Sequence, residues 1–359
     1  MKVLFLTKYP EEGASSRYRV YQYLPYLCEN GVTCDVQSFM SPRMYKIVFR
    51  PGHTISKALY TFLAVLRRLA VLFSARKYNL IYMQRECLPF GPPFMEKLFM
   101  RCDNPTIFDY DDALYIFKSS THNRLVDYIK RPQRIFEIFS LVDCVLTGNN
   151  YLKKRALEYC RSARTFLVAE DTDRYAQRPL HKNGDTFTIG WLGSPSTEKY
   201  LNLVTPALQK ICAKYTHVQV KIVGGGDFHP EGVPVIHVPW SMEDEVAHLH
   251  SFDVGIMSLP FEEWSKGKSG GKARTYMAVG LPAVCTAIGF NLELIEDKRT
   301  GFLVRDEDEW VTVLSSLVES AELRQKVGDA GREYVVQNLS LQVLAPEFHS
   351  ILKDVAGAG

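Results

Sequence analysis

Residues 264–282 read WSKGKSGGKARTYMAVGLP. Two glycines, Gly270 and Gly271, lie between the lysines Lys268 and Lys272 and open a helical pattern that ends at a Gly-Leu-Pro sequence. A helix that follows a glycine-rich loop directs unpaired backbone N–H groups and the positive end of its dipole toward that loop. Because the two lysines add full positive charges, the stretch predicts a phosphate-binding site. The alternative is a solvated lysine pair on a surface loop.

Short apolar runs of strand length alternate with helical patterns along the whole chain. The predicted strands are residues 3–6, 32–36, 80–83, 106–108 and 144–146 in the first half and 187–192, 219–223, 235–238, 254–257 and 283–285 in the second. Continuous apolar strands separated by helices are typical of parallel sheets that helices cover on both faces. The sequence therefore predicts an α/β protein with two doubly wound, Rossmann-like domains.

The chain has 359 residues, enough for two such domains. The polar stretch 170–183 shows no helical or strand period, so we expect an N-terminal domain over residues 1–170 and a C-terminal domain over 171–340. The last segment, 341–359, has amphipathic helical spacing and either packs on the C-terminal domain or crosses back to the N-terminal one. Since ligands of doubly wound sheets bind at the carboxyl ends of the strands, we expect a central cleft that both domains face.

Charge and cysteine usage exclude several classes of protein. The formal net charge of +3 is too small for a typical nucleic-acid-binding protein. The eight cysteines show no Cys-x-x-Cys pair and no Cys/His ligand spacing, so neither a zinc site nor a disulfide framework is predicted, and reduced thiols indicate the cytoplasm. The N-terminal apolar run is too short for a signal peptide, and no run reaches the roughly 18 apolar residues of a membrane span.

One segment is strongly basic. Residues 37–85 contain nine lysines and arginines and no acidic residue, and their middle, ISKALYTFLAVLRRLAVLFSARK, predicts an apolar helix with paired arginines. A basic amphipathic helix suits an anionic bilayer surface. We therefore expect peripheral association with the inner face of the plasma membrane through residues 40–77. The alternative is a core helix with a solvated basic edge.

The order of motifs resembles the retaining GT-B glycosyltransferases of family 4, also called glycosyltransferase group 1. The motifs are VKIVGGGD (220–227), YMAVGLPAV (276–284) and GFNLELIEDKRTGFLV (289–304), with FDYDDALY (108–115) and IGWLGSPST (189–197) resembling a subgroup that makes bacterial surface glycans. The resemblance covers almost the whole chain. It implies a nucleotide-diphosphate sugar as donor substrate, transfer with retention, no cofactor and no bound metal.

Small residues after the C-terminal strands are candidates for donor binding. Ser194 and Ser196 offer hydroxyls and amides to a phosphate, or Ser196 or Thr197 is simply the N-cap of the next helix. Gly225 lies in a tight Gly-Gly-Gly turn near the donor, without the spacing of a dinucleotide fingerprint. Thr275 either donates a hydrogen bond to ribose or phosphate, or is a helix residue that faces solvent.

The resemblance adds one residue and shows two departures. In relatives the segment after residue 238 contacts the nucleotide base, so Trp240 either stacks on the base or packs as an ordinary aromatic residue. Most relatives carry two glutamates where this chain has Gly267 and Thr275.

Residues 8–27 resemble the family's first strand-to-helix loop, which implies that they face the donor phosphates and the acceptor. Gly13 lets the backbone approach a ligand closely, and Arg17 offers a planar fork to a phosphate. Arg19 lies two residues further on a different helical face, so we expect Arg17 rather than Arg19 to reach the active site. Surface exposure is the alternative for either arginine.

Three carboxylates, Asp109, Asp111 and Asp112, follow another predicted strand. One of them either orients the acceptor hydroxyl or accepts its proton. The alternatives are a divalent metal site and helix capping or surface structure. Glu86, which also follows a strand, is a further candidate.

These observations predict a cytoplasmic, peripherally membrane-bound glycosyltransferase that moves a sugar to a surface-polysaccharide or lipid-linked glycan acceptor. Lys268 and Lys272 would stabilise the leaving diphosphate together with the loop amides. Two alternatives keep the fold: a nucleotide-sugar epimerase and a non-catalytic nucleotide-sugar-binding subunit.

Overall fold

A computed structural model describes residues 1–48, 50, 52–116, 131–179 and 186–357. The chain forms two compact units, which we call unit 1 (Met1–Val168 with Leu341–Gly359) and unit 2 (Ala169–Ser340). The chain thus passes between units at residues 168–169 and 340–341, beside the predicted domain bounds. Part of the predicted boundary stretch, residues 180–185, lies outside the described residues.

Unit 1 is a six-stranded parallel sheet with helices. Its strands are β1 (Lys2–Thr7), β2 (Thr33–Ser38), β3 (Leu80–Gln84), β4 (Thr106–Tyr110), β5 (Cys144–Thr147) and β6 (Ala163–Thr165), in the order β2-β1-β3-β4-β5-β6. Its helices are α1 (Ala14–Arg19), α2 (Leu24–Glu29), α3 (Pro42–Val48), α4 (Thr54–Leu72), α5 (Phe94–Met100), α6 (Arg134–Leu141), α7 (Asn150–Ala156) and the C-terminal α16 (Leu341–Gly357). In register, Val3 of β1 lies opposite Cys34 of β2 and Leu80 of β3.

Unit 2 repeats this architecture. Its strands are β7 (Phe187–Leu192), β8 (Val218–Val223), β9 (Val235–Val238), β10 (Val254–Met257), β11 (Ala283–Thr286) and β12 (Phe302–Val304), all parallel, in the order β12-β11-β10-β7-β8-β9. Its helices are α8 (Pro195–Glu198), α9 (Thr205–Lys214), α10 (Glu245–His250), α11 (Glu263–Lys266), α12 (Gly271–Ala278), α13 (Asn291–Leu294), α14 (Glu307–Glu319) and α15 (Ala321–Asn338).

Local sequence explains where several helices begin. Asp306 caps α14 by accepting a hydrogen bond from Glu309 N at 2.9 Å, and Ser320 caps α15 by accepting one from Leu323 N at 3.1 Å. The first turn of α14 is acidic, which complements the helix dipole.

The C-terminal helix packs in unit 1. Phe348 of α16 lies among the rings of Phe5, Tyr23, Tyr82 and Phe166, with ring centroids 4.9 to 6.4 Å apart. α16 runs continuously through Pro346. Of the two predicted alternatives for residues 341–359, the one realised is packing with the N-terminal part of the chain.

All ten predicted strands are present, and each sheet has one further strand. The additions are the three-residue edge strands β6 and β12. The prediction of two doubly wound α/β sheets is confirmed.

Candidate active site

In the sheet of unit 2 the order in which the chain adds strands reverses at β7. The chain runs from β7 outward to β8 and β9 and then returns to β10 on the other side of β7. In doubly wound sheets this reversal creates a crevice at the carboxyl ends of the two central strands, where ligands bind. β7 leads into residues 193–197, and β10 leads through α11 into residues 267–272, which we call the Gly/Lys loop.

Lys272 brings these two segments together. Its Nζ lies 3.5 Å from Thr197 Oγ1 and 5.1 Å from the centre of the Trp191 ring. A Cβ built on Gly193 would lie 2.6 Å from the Trp191 ring and 2.8 Å from Lys272 Cε, so glycine at this position leaves room for both side chains. Lys272 is therefore held across the crevice by close packing.

The electrostatic setting of Lys272 favours an anion. Burial lowers the pKa of Lys272 to about 8, and the neighbouring charge of Lys268 acts in the same direction. Within the described residues, Lys272 forms no ion pair with a carboxylate. Lys272 also lies in the first turn of α12, at the positive end of the helix dipole, where a cation without an anionic partner is unfavourable.

Glycine occurs at positions 270 and 271 of the loop for different structural reasons. Gly270 adopts a left-handed backbone with φ +66°, and a Cβ on it would lie 2.9 Å from the Phe290 ring. A Cβ on Gly271 would meet nothing nearer than Arg274 Nη2 at 3.9 Å. Packing requires glycine at 270, whereas at 271 the missing side chain leaves open space next to Lys272.

Lys268 lies outside the helix, because α12 begins at Gly271. Its ammonium is 4.1 Å from the centre of the Trp264 ring, a cation–π contact. Since its charge lowers the pKa of Lys272, the two ammonium groups act on the same region.

Thr275 differs from both expectations for it. Its side chain is buried and its hydroxyl donates to Gly271 O, one turn earlier in α12, at 3.0 Å. The hydroxyl proton is thus used inside the helix, and the side chain does not face solvent.

The serines after β7 remain exposed. Ser194 Oγ and Ser196 Oγ lie 2.9 Å apart, and Ser194 makes no capping hydrogen bond with its side chain although it occupies the N-cap position of α8. Ser196 and Thr197 lie inside α8, so the alternative that one of them is its N-cap is wrong. The two hydroxyls are open to a ligand beside Thr197 and Lys272.

The Gly-Gly-Gly turn already holds an anion, which corrects the assignment of Gly225 to the donor. The buried carboxylate of Glu198 accepts hydrogen bonds from the backbone N–H groups of Gly226 at 2.8 Å, Asp227 at 3.1 Å and Phe228 at 3.3 Å. A Cβ on Gly225 would lie 2.3 Å from Glu198 Oε1. The glycine makes room for this internal carboxylate, not for a phosphate.

Trp240 is 43% exposed. A Cβ on Gly224 would lie 3.1 Å from Trp240 Cβ and 2.3 Å from Gly193 O, so Trp240 lies beside the turn that follows β7. The indole is thus available next to the crevice and is not core packing.

In unit 1 the structure corrects two candidates together. Asp109 is buried at the end of β4, where its carboxylate pairs with the guanidinium of Arg19, itself fully buried. Arg19 also donates from Nη1 to Phe166 O at 2.6 Å. Asp109 is therefore the internal partner of Arg19 and is not available to the acceptor. Arg19 is kept from the active site by its burial in this pair and not by its position around the helix.

Gly13 also has a packing reason. A Cβ on it would lie 2.3 Å from Tyr9 Cβ, and its N–H donates to Pro10 O at 2.9 Å. Its missing side chain is required by the turn before α1, so the expected close approach to a ligand is not needed to explain it.

Arg17 and Asp111 carry buried polar atoms without a hydrogen-bond partner among the described residues, Arg17 Nη1 and Asp111 Oδ1. Burial and the charge of Asp112 raise the pKa of Asp111 to about 6, although Arg85 acts against them. In the part of the chain that the structure describes, no three His, Cys, Asp or Glu side chains are grouped to hold a metal ion.

Arg85 and Glu86 join this group at the end of β3, and the first of them was missed as a site residue. Arg85 has a left-handed backbone with φ +65°, which costs about 1 kcal/mol or more for a residue with a Cβ. Arg85 Nε and Glu86 Oε2 also lack hydrogen-bond partners in the described ranges. Burial raises the pKa of Glu86, but the charges of Arg85, Lys8 and Arg134 outweigh it and lower the pKa.

The basic helix α4 has an unusual orientation. Its buried face contains Ala64 and Arg68, whose guanidinium donates to Thr7 O at 2.9 Å and Gln37 O at 3.1 Å. Its exposed face is apolar, with Ile55, Leu59, Phe62, Leu63 and Leu66, followed by Phe73. Arg68 therefore adds no surface charge, and the expected solvated basic edge is largely replaced by apolar side chains. No helix in the described residues is both long and apolar enough to cross a membrane.

Comparison with known proteins agrees with this architecture. Residues 186–320 match the family model described as "Glycosyl transferases group 1". Solved structures with a similar fold include a glycosyltransferase from Rickettsia africae (15% identity, covering 99% of this chain and 98% of that one, TM-score 0.71). Others are sucrose-phosphate synthase from Thermosynechococcus elongatus (13%, 100% of both chains, TM-score 0.72) and Anabaena HepE in complex with UDP-glucose (15%, 99% and 100%, TM-score 0.70). No curated protein matches the sequence.

The two six-stranded parallel units have the GT-B fold of these glycosyltransferases, as predicted. Residues 186–320, which include Lys272, form a glycosyltransferase group 1 domain, and this domain supports the prediction that the chain is a glycosyltransferase.

Proposed function

We propose that the protein transfers a sugar, with retention, from a nucleotide-diphosphate donor to a surface-polysaccharide or lipid-linked glycan acceptor. The observation that carries the donor half is the setting of Lys272, an ammonium with a lowered pKa and no carboxylate partner in the described residues. A diphosphate bound there would stabilise the charged form of Lys272, which burial and Lys268 disfavour. Retention is what the resemblance to family 4 implies.

The donor diphosphate occupies the crevice between residues 193–197 and the Gly/Lys loop. Lys272 and Lys268 stabilise the negative charge that grows on the leaving diphosphate, and the exposed hydroxyls of Ser194 and Ser196 bind its oxygens. Trp240 offers its exposed face to the base. In this proposal the two lysines, and not a metal ion, neutralise the charge of the leaving diphosphate.

The acceptor binds at the carboxyl ends of β1, β3 and β4 in unit 1. The polar atoms there include two guanidinium groups, Arg17 and Arg85, and two carboxylates, Glu86 and Asp111. Each sugar hydroxyl accepts a hydrogen bond from a guanidinium and donates one to a carboxylate, whereas a phosphate would be repelled by the two carboxylates. The mixture therefore favours the neutral hydroxyls of a glycan, and Asp111 is the candidate for orienting the attacking one.

The exposed face of α4 supports the proposal that the protein associates with a membrane. Its exposed apolar face is flanked by exposed cations, including Arg67, Arg76 and Lys77. Apolar side chains that enter the acyl boundary and cations that meet anionic headgroups act together on a bilayer surface. This placement suits a lipid-linked acceptor.

Calorimetry on the full chain tests the donor half, with UDP-, GDP-, ADP- and dTDP-sugars as probes. We expect one of them to bind, and Lys272→Ala to weaken that binding by about 10- to 100-fold, the range for a charge-assisted contact. Lys214→Ala is the matched control, because Lys214 is an exposed lysine of the same unit paired with Glu319. Equal affinities for Lys272→Ala and the wild type would refute the phosphate assignment.

A further inference from the structure

One guanidinium connects the Gly/Lys loop to a second part of unit 2. Arg274, on α12, donates from Nε to Glu170 Oε1 at 3.1 Å and from Nη1 to Ser269 O in the loop. The two charged side chains are almost fully buried, 3% exposed for Arg274 and 0% for Glu170. The loop backbone is thus tied to a carboxylate more than 90 residues away in sequence.

Glu170 is itself fixed from two sides. It is the second residue of unit 2, and its N–H donates to Leu339 O at 2.8 Å while it forms a β-bridge with Ser340. The carboxylate that receives Arg274 therefore rests where the chain enters and leaves the unit.

A buried ion pair is weak evidence for stability, because apolar side chains of similar volume often stabilise a protein as well or better. Arg274 does something that an apolar side chain cannot, since its planar fork bonds a loop carbonyl and a carboxylate at once. The loop so held includes Gly270, whose left-handed backbone packs on Phe290, and leads directly to Lys272.

We propose that Arg274 and Glu170 are positioning residues that hold the Gly/Lys loop in the conformation that binds the donor diphosphate. The proposal rests on the proposed function of Lys272 and adds two residues that touch no substrate. The ion pair fixes Ser269, and through it the backbone N–H groups of residues 270–272 keep their direction toward the ligand.

The pair gives donor binding a lower pH limit. Burial raises the pKa of Glu170 to about 7, with the charge of Arg274 acting against it, Glu245 adding to it and Arg174 opposing it. Glu170 Oε2 has no hydrogen-bond partner among the described residues. As pH falls through 7, Glu170 takes up a proton and the loop loses the charged partner of its anchor.

The experiment measures, by calorimetry on the full chain, the affinity for whichever of the UDP-, GDP-, ADP- and dTDP-sugars binds the wild type best, together with Tm. The diphosphate of a nucleotide sugar is esterified at both ends, so its charge does not change over the pH range used, whereas a terminal phosphate would titrate near pH 6. We expect Arg274→Met to weaken binding by about tenfold or more, as a displaced binding group does. The affinity of Arg274→Lys should lie between those of the wild type and Arg274→Met, because a single ammonium cannot reproduce both hydrogen bonds of the guanidinium. Arg178→Met is the matched control, since Arg178 lies near Asp253 in another largely buried pair of unit 2, with side chains 6% and 11% exposed.

The pH profile separates positioning from simple stabilisation. Affinity of the wild type should fall between about pH 7.5 and 5.5, and Glu170→Gln should show weak binding without that fall, since a neutral amide does not titrate there. The proposal is overturned if Arg274→Met binds as well as Arg178→Met, or if Glu170→Gln keeps the acid fall. Wild-type protein that binds no nucleotide would instead overturn the proposed function itself.

Discussion

Arg19 donates from Nε to both oxygens of the Asp109 carboxylate, at 3.1 and 2.9 Å, in the interior of unit 1. Neither side chain reaches the surface. The burial raises the pKa of Tyr82 next to the pair, and the charge of Asp109 adds to that rise. Of the three aspartates, Asp109 lies within β4 and belongs to the core, and Asp111 is the one with a buried carboxylate oxygen that makes no hydrogen bond among the described residues.

Asp109→Asn should destabilise unit 1 by about 3–5 kcal/mol, because it leaves Arg19 as an uncompensated buried charge. That corresponds to a fall in Tm of about 10 °C by thermal unfolding. Glu158→Gln is the control, since Glu158 pairs with Arg155 at the surface and its loss should change Tm little. A normal Tm for Asp109→Asn with loss of activity would return Asp109 to the list of substrate-binding residues.

Asp111→Asn should have the opposite effect on stability. The raised pKa of Asp111 means that the folded state binds its proton more tightly than the unfolded state, so the stabilising effect is present at acid pH and is lost as pH rises through about 6. At pH 7 the neutral amide should therefore stabilise the protein by about 1–2 kcal/mol, with the difference vanishing near pH 4. Transfer to the acceptor should fall at the same time. Denaturant unfolding at pH 7 and near pH 4 measures the stability difference, and initial rates of sugar transfer measure the loss of activity. An Asp111→Asn protein that is less stable than the wild type at pH 7 would contradict the prediction.

Donor affinity should decrease above pH 8. The pKa of Lys272 in the free protein is lowered to about 8, so at higher pH a growing share of the protein must take up a proton to bind the diphosphate. Lys272→Arg, which stays charged, should remove this alkaline decrease. Calorimetry with the bound nucleotide at about pH 7 and pH 9.5 measures it. An alkaline decrease of the same size in the arginine variant would show that another group causes it.

Gly193→Ala should disturb the donor site together with the packing of Trp191. The new methyl group would lie 2.6 Å from the buried Trp191 ring and 2.8 Å from Lys272 Cε, so both side chains must shift. We expect a loss of nucleotide affinity of about tenfold. Gly226→Ala is the matched control, because a Cβ there meets nothing within 4 Å and its backbone is not left-handed. If both variants bind equally, Lys272 does not depend on Gly193.

The wild type should float with vesicles that contain anionic phosphatidylglycerol. The double variant Phe62→Glu with Leu66→Glu places two carboxylates on the exposed face of α4 and should lose this binding, since each buried apolar side chain contributes about 1.5–3 kcal/mol. Leu157→Glu changes another exposed apolar side chain of unit 1 and should float as the wild type does. Flotation of the double variant would show that another surface binds the membrane.

The fold could be predicted from the sequence because its central strands are mostly apolar. β3 and β5, for example, are buried at every position, and runs of that kind stand out between polar loops. The edge strands β6 and β12 could not be found in this way, since three residues carry no detectable period.

The sequence located the part of the candidate site where lysines lie next to glycines. It could not show where a group that looks open to a ligand is already bound to a distant side chain of the same chain. The Gly/Lys loop could be located because residues 264–282 combine lysines with glycines and contain no acidic residue. The Gly-Gly-Gly turn looks equally suited to a phosphate, but the anion that it binds is Glu198, 28 residues before Gly226, and a distant partner leaves no local pattern. Arg85 was overlooked because it lies at the end of a basic segment, where its left-handed backbone cannot be recognised.

The orientation of α4 has a practical consequence for purification. Arg68 directs its charge into unit 1, while Phe62, Leu66 and Phe73 are exposed. This apolar surface favours self-association of the protein in water. A preparation free of lipid should become turbid or change in hydrodynamic size as it is concentrated, and a mild detergent above its micelle concentration should reverse the change. Crystals or cryo-EM grids of this enzyme are therefore best prepared with amphiphile present from the first extraction.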